Sequence, residues 1–214
     1  MTRAELSARA MSALVRVPED HPAGEVDSWI RRATQRINSE LRVGEMVVTV
    51  EIPLAGRFLQ LPADFLHANS LRLNPNKGPL IYSTPAELAA YAAKPALAGQ
   101  LPGYFTTRGR QLEIVPWAVP SSEYKAELAY FAKVPKLGDA DASSNWLLED
   151  HEDLFLNAVL IFGHRFWMED DRALLKDGLV AQEIVRLNDR FSDAKYGDGP
   201  LVMPPPRKMG GRHS

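Results

Sequence analysis

The spacing of apolar residues changes twice along this chain, and these changes constrain the fold more than any single motif. Up to residue 42 apolar side chains recur every three or four positions, which is typical of amphipathic helices. From Glu45 apolar and polar residues alternate, which is typical of half-buried strands. After Asn145 the helical spacing returns. The order predicts an α+β fold: a helical body, made of an N-terminal helix and a C-terminal helix pair, with an inserted β-rich domain.

Five helices are predicted, over residues of about 2–15, 28–42, 84–93, 152–168 and 171–193. Two of them open on a capping box, in which a threonine is followed three positions later by a glutamate: Thr2 with Glu5, and Thr84 with Glu87. The second helix is expected to be capped by Asp27 and stopped by Gly44. The last helix is expected to bury one stripe, composed of Leu174, Ala181, Ile184, Leu187 and Phe191.

The β-rich insert is predicted from short alternating runs. They cover Val48–Ile52, Arg57–Leu61, Leu71–Leu73, Leu80–Tyr82, Tyr104–Thr107, Gln111–Val115 and Tyr124–Phe131. Arg108-Gly109-Arg110 is expected to close a hairpin, because glycine adopts positive φ without strain. Domain boundaries follow at 1–44, 45–144, 145–195 and 196–214, and the last segment is rich in glycine and proline and predicts an extended C-terminal tail.

The composition narrows the classes of function. The 214 residues carry a net charge of -2, which gives no global reason to expect binding to nucleic acid or to anionic membranes. There are no cysteines, so disulfides and thiolate metal sites are excluded. No apolar run approaches the ~20 residues of a membrane span, and the N-terminus does not resemble a signal peptide. We therefore expect no membrane association and synthesis in the cytosol.

The sequence lacks the common catalytic motifs. It has no phosphate-binding P-loop, no dinucleotide-binding glycine loop, no nucleophile elbow and no His-Glu-x-x-His. The most enzyme-like cluster would use His151, Asp153, His164 and Glu169 as metal ligands. The alternative, that acidic residues at a helix start complement its dipole, is favoured, since the histidines would lie roughly 20 Å apart on a straight helix. We predict no enzyme activity and no cofactor.

Two further residue sets admit more than one interpretation. The arginines 31, 32, 36 and 42 could face DNA in a channel, but a solvated face or a set of inter-subunit ion pairs is favoured because acidic residues are as numerous as basic ones. The tryptophans 29, 117, 146 and 167 could form a ligand cage, but their scatter favours core packing or subunit contacts.

Several motifs, taken in order, resemble the head-to-tail adaptor (connector) family of short-tailed bacteriophages and their relatives, over about residues 26–193. The motifs are the helix Ala33–Leu41, the break Leu61-Pro62-Ala63-Asp64-Phe65, the segment Pro79–Tyr82 followed by Thr84-Pro85-x-Glu87-Leu88, then Pro102-Gly103-Tyr104, the strand that ends at Pro116, Tyr124–Phe131, and Asn145-Trp146-Leu147-Leu148 before the paired helices.

The resemblance implies a structural virion protein that forms a ring, expected to be twelvefold, in the neck between portal and tail, after assembly in the host cytoplasm. Its implied partners are the portal protein, tail nozzle or tail fibre proteins, further copies of itself, and genomic DNA that passes through without sequence-specific binding. The candidate portal-binding residues are Leu201, Val202, Met203, Pro204, Pro205, Pro206, Arg207 and Lys208. The candidate subunit-interface residues are Trp29, Ile30, Arg31, Arg32 and Arg36.

Three other functions remain open from the sequence. The chain could be another tail protein, such as a nozzle or completion protein, with the same physical character and a different partner. It could be a small metal-dependent hydrolase built on residues 149–171. It could also be a nucleic-acid-binding module that uses the arginine helix and the basic tail, in which case DNA affinity would fall steeply with salt.

Overall fold

A computed structural model describes residues 1–14, 24–54, 56–74, 78–93, 102–115, 125–138 and 140–196. Six α-helices occur in the described residues: α1 (Arg3–Ala13), α2 (Glu25–Glu40), α3 (Pro85–Ala92), α4 (Trp146–Asp150), α5 (Glu152–Phe166) and α6 (Asp170–Tyr196). Seven strands accompany them: β1 (Val47–Pro53), β2 (Phe58–Gln60), β3 (Phe65–Asn74), β4 (Ile81–Tyr82), β5 (Tyr104–Arg108), β6 (Gln111–Val115) and β7 (Lys125–Ala132). The mixed α+β class with a C-terminal helical region is confirmed. The predicted tail beyond Tyr196 lies outside the described residues.

The ends of the helices follow local chemistry in some cases only. Both predicted capping boxes are present, since Thr2 and Thr84 each accept the backbone N–H of the glutamate three positions on, and that glutamate accepts the threonine N–H. The predicted start of α2 is wrong: Gly24, at φ 90°, is the N-cap, and Asp27 lies inside the first turn. The predicted stop is wrong too, because α2 ends at Glu40 and Gly44 begins a 3-10 turn.

The strands form two sheets. One has three strands in the order β1-β7-β3 and is antiparallel throughout. The other has four strands in the order β2-β6-β5-β4, in which only β4 and β5 run parallel. The predicted β5–β6 hairpin is confirmed, with Gly109 at φ 58° in its turn. The central position of β7 agrees with its burial: every second residue from Ala126 to Ala132 is buried, and none of the residues between them is exposed.

Strand β3 is longer than the sequence predicted. It predicted a strand at Leu71–Leu73 alone, whereas the strand begins at Phe65. The register against β7 shifts twice, between Phe65 and His67 and between Ala68 and Ser70. A bulge of this kind puts two residues opposite one and breaks the alternation of apolar and polar residues by which strands are detected. The expected alternation in β1 fails at Val48, which is 37% exposed.

Buried side chains form two clusters. The helical core joins α1, α2, α5 and α6 and has Trp29, Ile37 and Phe155 at its centre. The sheet core joins both sheets around Leu71, Leu112 and Leu128, while β7 also places Phe131 in the helical core. The segment just before α4 helps to hold α1 in place: the backbone N–H of Arg3 donates to the carbonyl of Ser143 at 2.9 Å.

The helices α5 and α6 form a hairpin whose turn contains Met168 at φ 58°. The buried stripe of α6 consists of Ala173, Val180, Ile184 and Leu187. Leu174, which the sequence assigned to this stripe, is 64% exposed. At the start of α6 the predicted stripe is therefore shifted by one residue, from Ala173 to Leu174. Ala173 is small and contributed little to the apolar pattern. Among the described residues, no helix is both long enough and apolar enough to cross a bilayer.

Candidate assembly surfaces

The arginine-bearing helix α2 divides its residues between the subunit core and the surface. Trp29 and Ile30 are 1% and 6% exposed and pack inside the helical core of their own subunit. Arg31 and Arg32 are exposed, and neither has an ion pair within the described part of the chain. The side chains that a neighbouring subunit could reach are therefore Arg31 and Arg32, and a role in subunit contacts stays a prediction.

Other polar groups of α2 join it to α6. Arg36 forms an ion pair with Asp177, and its Nε lies 3.4 Å from a carboxylate oxygen of Glu40. Asn188 accepts the backbone N–H of Arg42 at 2.7 Å and donates to the carbonyl of Glu40 at 3.0 Å. These contacts place α2 along one flank of α6. Arg36, predicted as an interface residue, is thus paired within the same chain.

Arg42 completes the C-terminal end of α2. Its guanidinium donates to the carbonyls of Asn38 and Leu41, which are among the last carbonyls of the helix and lack partners within it. It also lies 5.9 Å from the centroid of the Phe131 ring. Burial lowers the pKa of Arg42 from its usual value. The sequence analysis grouped Arg42 with the other arginines of α2. In the structure Arg42 binds carbonyls at the end of the helix, whereas Arg31 and Arg32 are exposed to solvent.

The acidic cluster lies where α4 ends and α5 begins. Asn145 caps α4, because its side-chain oxygen accepts the N–H of Leu148 at 3.0 Å. Glu152 and Asp153 occupy the first turn of α5, where negative charge complements the helix dipole. Glu152 also pairs with Arg9 of α1 at 2.5 Å. Glu149, Asp150 and Asp153 are exposed and have no ion pair within the described residues.

The residues of the alternative metal site do not form one cluster among the described residues. His151 lies before α5 and meets the Trp146 ring edge-on, with centroids 6.2 Å apart. His164 lies near the other end of α5, only 4% exposed, with its Nδ1 2.7 Å from a carboxylate oxygen of Glu169. No group of three or more His, Cys, Asp or Glu that could hold a metal occurs in the ranges that the structure describes. His164 and Glu169 instead join the two ends of the α5–α6 turn.

A groove of about 740 Å³ separates the acidic cluster from α6. One wall consists of Glu149, Asp150, His151, Glu152, Asp153, Leu154 and Asn157, and the other of Leu179, Val180, Gln182, Glu183, Arg186, Leu187 and Arg190. The lining includes five carboxylates and two guanidinium groups, of which Glu183 and Arg186 pair with each other at 2.5 Å. The groove is thus an open, acidic surface on the flank of α6 opposite to α2.

The outer surface of α6 is unusually apolar. Six of the ten large hydrophobic side chains that are exposed in the described residues lie between residues 166 and 185: Phe166, Met168, Leu174, Leu175, Leu179 and Val185. The sequence analysis missed this surface because it assigned Leu174 to the core. The sequence does indicate such a surface, because α6 contains more apolar residues than a single buried stripe can accommodate. Contiguous exposed apolar residues on a soluble protein mark interaction surfaces.

In the β-rich region, several charged side chains pair with one another. Glu113 is 1% exposed and receives two guanidinium groups: that of Arg57, and that of Arg108 with its Nε at 2.6 Å. The Tyr130 hydroxyl donates to Asp64 at 3.0 Å. Burial, followed by this hydrogen bond and the nearby charge, raises the pKa of Tyr130 to about 12. These contacts join neighbouring segments within the β-rich region.

Two sets of sequence-predicted residues cannot be located. The candidate portal-binding segment, Leu201–Lys208, and Trp117 lie outside the described residues. Of the other tryptophans, Trp29 is buried in α2, Trp146 is half-buried at the start of α4, and Trp167 is half-buried just after α5. The three described tryptophans therefore do not meet in one cage.

Comparison with known proteins identifies the chain. No curated protein matches it. A family model described as "SU10 adaptor protein" matches residues 1–204, which extends at both ends beyond the motifs found in the sequence. The resemblance to phage head-to-tail adaptors is confirmed. The chain belongs to the SU10 adaptor protein family and is a structural adaptor protein of a bacteriophage.

Proposed function

We propose that copies of this chain form a ring, expected to be twelvefold, that joins the portal to the tail in the neck of the virion and extends the DNA channel. The observation that carries the proposal is the family match, which covers residues 1–204. The ring, its position and its partners are the parts of the proposal that experiment has to test.

The helical body has the surface that a ring subunit needs. A wedge-shaped subunit contacts a neighbour on each side, so it requires two lateral surfaces besides its own core. The exposed side chains of Leu174, Leu175 and Val185 supply surface of this kind. So do Arg31 and Arg32, which have no ion pair in the part of the chain that the structure describes. The core of the body is complete without them, since Trp29, Ile37 and Phe155 are buried within one subunit.

The C-terminal segment is the proposed portal anchor. Leu201, Val202 and Met203 are apolar, Pro204–Pro206 favour polyproline II, and Arg207 and Lys208 are basic. A segment that is already extended loses less conformational entropy when it docks. Exposed ion pairs contribute only ~0–1 kcal/mol each, so the apolar residues should provide most of the affinity. Tail nozzle or fibre proteins would bind the opposite side of the ring, and DNA would pass through without sequence-specific contacts.

The proposal can be tested with phage heads that carry a portal and lack this protein. Wild-type protein should bind these heads at a fixed number of copies per portal, which cryo-electron microscopy and quantitative mass spectrometry can count. Protein truncated after Lys195 should stay folded, because both cores and all of α6 except its last residue precede the cut. It should bind with at least tenfold lower occupancy. Full-length protein with Leu201, Val202 and Met203 each replaced by Ser should behave like the truncation.

Two outcomes would change the proposal. Truncated protein that binds heads at wild-type occupancy would show that the helical body, not the tail, holds the portal. Wild-type protein that binds completed tails but no portal-bearing head would contradict the adaptor role and favour a nozzle or completion protein.

A further inference from the structure

The apolar outer surface of α6 lies between two flanks that differ in charge. One row along the helix, with helical spacing of three and four, contains Leu174, Gly178, Ala181, Val185 and Asn188. The other row contains Leu175, Leu179, Gln182, Arg186 and Arg190. The first row adjoins α2, because Asn188 contacts the end of that helix. The second borders the acidic groove, because all its members except Leu175 line it.

The flank beside α2 is basic. Arg31 and Arg32 are exposed and have no ion pair within the described residues. Asp27, one turn before Arg31, pairs with Arg3 at 2.6 Å, and Asp177 of α6 pairs with Arg36. Leu174 and Val185, which are 64% and 57% exposed, belong to the α6 row on the side to which α2 packs. Within the described residues, this side of the body therefore has two guanidinium groups without an ion pair and an exposed apolar row.

The flank beside the groove is acidic. Glu149, Asp150 and Asp153 are exposed without an ion pair in the described ranges, while the two guanidinium groups of the groove lie on its α6 wall. Leu179, 45% exposed, belongs to the lining, and Leu175, 67% exposed, lies one turn before it. This flank thus offers apolar side chains across the groove from three carboxylates that have no ion pair among the described residues.

We propose that the basic flank of one copy packs against the acidic flank of the next, so that Arg31 and Arg32 meet Glu149, Asp150 and Asp153 across a seam of α6 leucines. The inference deepens the proposed ring and rests on it. Two unlike surfaces on opposite sides of one helix form a head-to-tail contact, the type that closes into rings, whereas a two-fold dimer needs one self-complementary surface. Complementary charge fixes the orientation of the contact, and the leucines supply the apolar burial.

Reversing the charges tests whether these two flanks meet. The first variant carries Arg31→Glu and Arg32→Glu, the second carries Glu149→Arg and Asp150→Arg, and the third carries all four substitutions. The matched control, Arg110→Glu with Lys136→Glu, changes charge by the same amount at exposed positions outside α2 and α6. Copies per portal are counted on portal-bearing heads, and self-association is measured by sedimentation of concentrated protein.

We expect each two-position variant to lose at least tenfold in occupancy and in self-association, and the four-position variant and the control to stay within twofold of wild type. Unchanged thermal unfolding shows that the variants are folded. The inference is overturned if either two-position variant assembles like wild type, or if the four-position variant assembles no better than they do. Should wild type load onto no head, the adaptor role fails, and the flank contact is judged by sedimentation alone, where the same loss and rescue are required.

Discussion

The helical body and the β-rich region use their surfaces in opposite ways. Several charged side chains of the β-rich region pair within it: Glu113 with two arginines, Lys125 with Glu51 and Arg72 with Glu127. Its exposed large hydrophobic residues are divided among three strands. The body concentrates six such residues between positions 166 and 185, and its Arg31 and Arg32 have no ion pair among the described residues. The proposed contact between copies is assigned to the body because of this difference.

The largest effect should come from the core of the body. Phe155 is fully buried in the helical core, and truncation of a buried phenylalanine costs about 3–5 kcal/mol through lost burial and the cavity that remains. We expect Phe155→Ala to lower the free energy of unfolding by this amount in a urea titration. Phe58→Ala is the matched control, because Phe58 is 49% exposed on β2 and should cost less than about 1 kcal/mol. Equal losses would show that the exposed phenylalanine also packs in a core.

The paired charges of the sheets should give the next largest effect. Glu113→Gln removes a buried carboxylate charge and leaves Arg57 and Arg108 without it. Both guanidinium groups are about half exposed and can be hydrated, so we expect a loss of about 1–3 kcal/mol, less than for a fully buried pair. Glu127→Gln, which affects only an exposed pair with Arg72 at 3.2 Å, should cost ~0–1 kcal/mol. Chemical denaturation of both variants measures the difference, and a larger loss from Glu127→Gln would contradict it.

Two glycines of the body should respond with opposite sign. A Cβ at Gly163 would lie 2.7 Å from Leu14 Cδ1 and 3.4 Å from Trp29 Cζ3, so Gly163→Ala should destabilise by about 1–3 kcal/mol through overpacking. A Cβ at Gly178 would meet nothing within 4 Å, so Gly178→Ala should stabilise the helix by up to about 1 kcal/mol. Thermal unfolding of the two variants gives the signs. Destabilisation by both would mean that the outer surface of α6 is already covered in the free protein.

The smallest effect concerns the pH dependence of the sheet region. The pKa of Tyr130 is about 12 in the folded chain and near 10.0 when unfolded, so its stabilising contribution is complete below pH 10 and is lost as pH rises through 12. We expect wild type to lose about 1 kcal/mol relative to Tyr130→Phe between pH 9 and pH 11. Urea titrations at the two pH values measure this, and parallel pH profiles would show that the hydroxyl ionises as freely as in the unfolded chain.

Much of the fold was predictable where the signal is local. Thr2 with Glu5 and Thr84 with Glu87 start helices because a capping box uses only four consecutive residues. The β5–β6 hairpin was predictable because Gly109 marks its turn. The start of β3 was not, because its two bulges interrupt the alternation. Nor was the start of α2, where Gly24 serves as the cap although Asp27 has the better capping side chain.

The sequence by itself determined the order of helical and alternating segments, the caps of α1 and α3, and the set of motifs that led to the adaptor family. The tertiary structure decided which apolar residues of α6 are buried, that Trp29 faces the core while Arg31 and Arg32 face solvent, and that Arg36 meets Asp177 across 141 positions. The reason is physical: periodicity and capping depend on neighbours within one turn, whereas exposure depends on which other elements pack against a helix. The apolar outer face of α6, and with it the proposed contact between copies, became apparent only once α2 and α5 had covered its other sides.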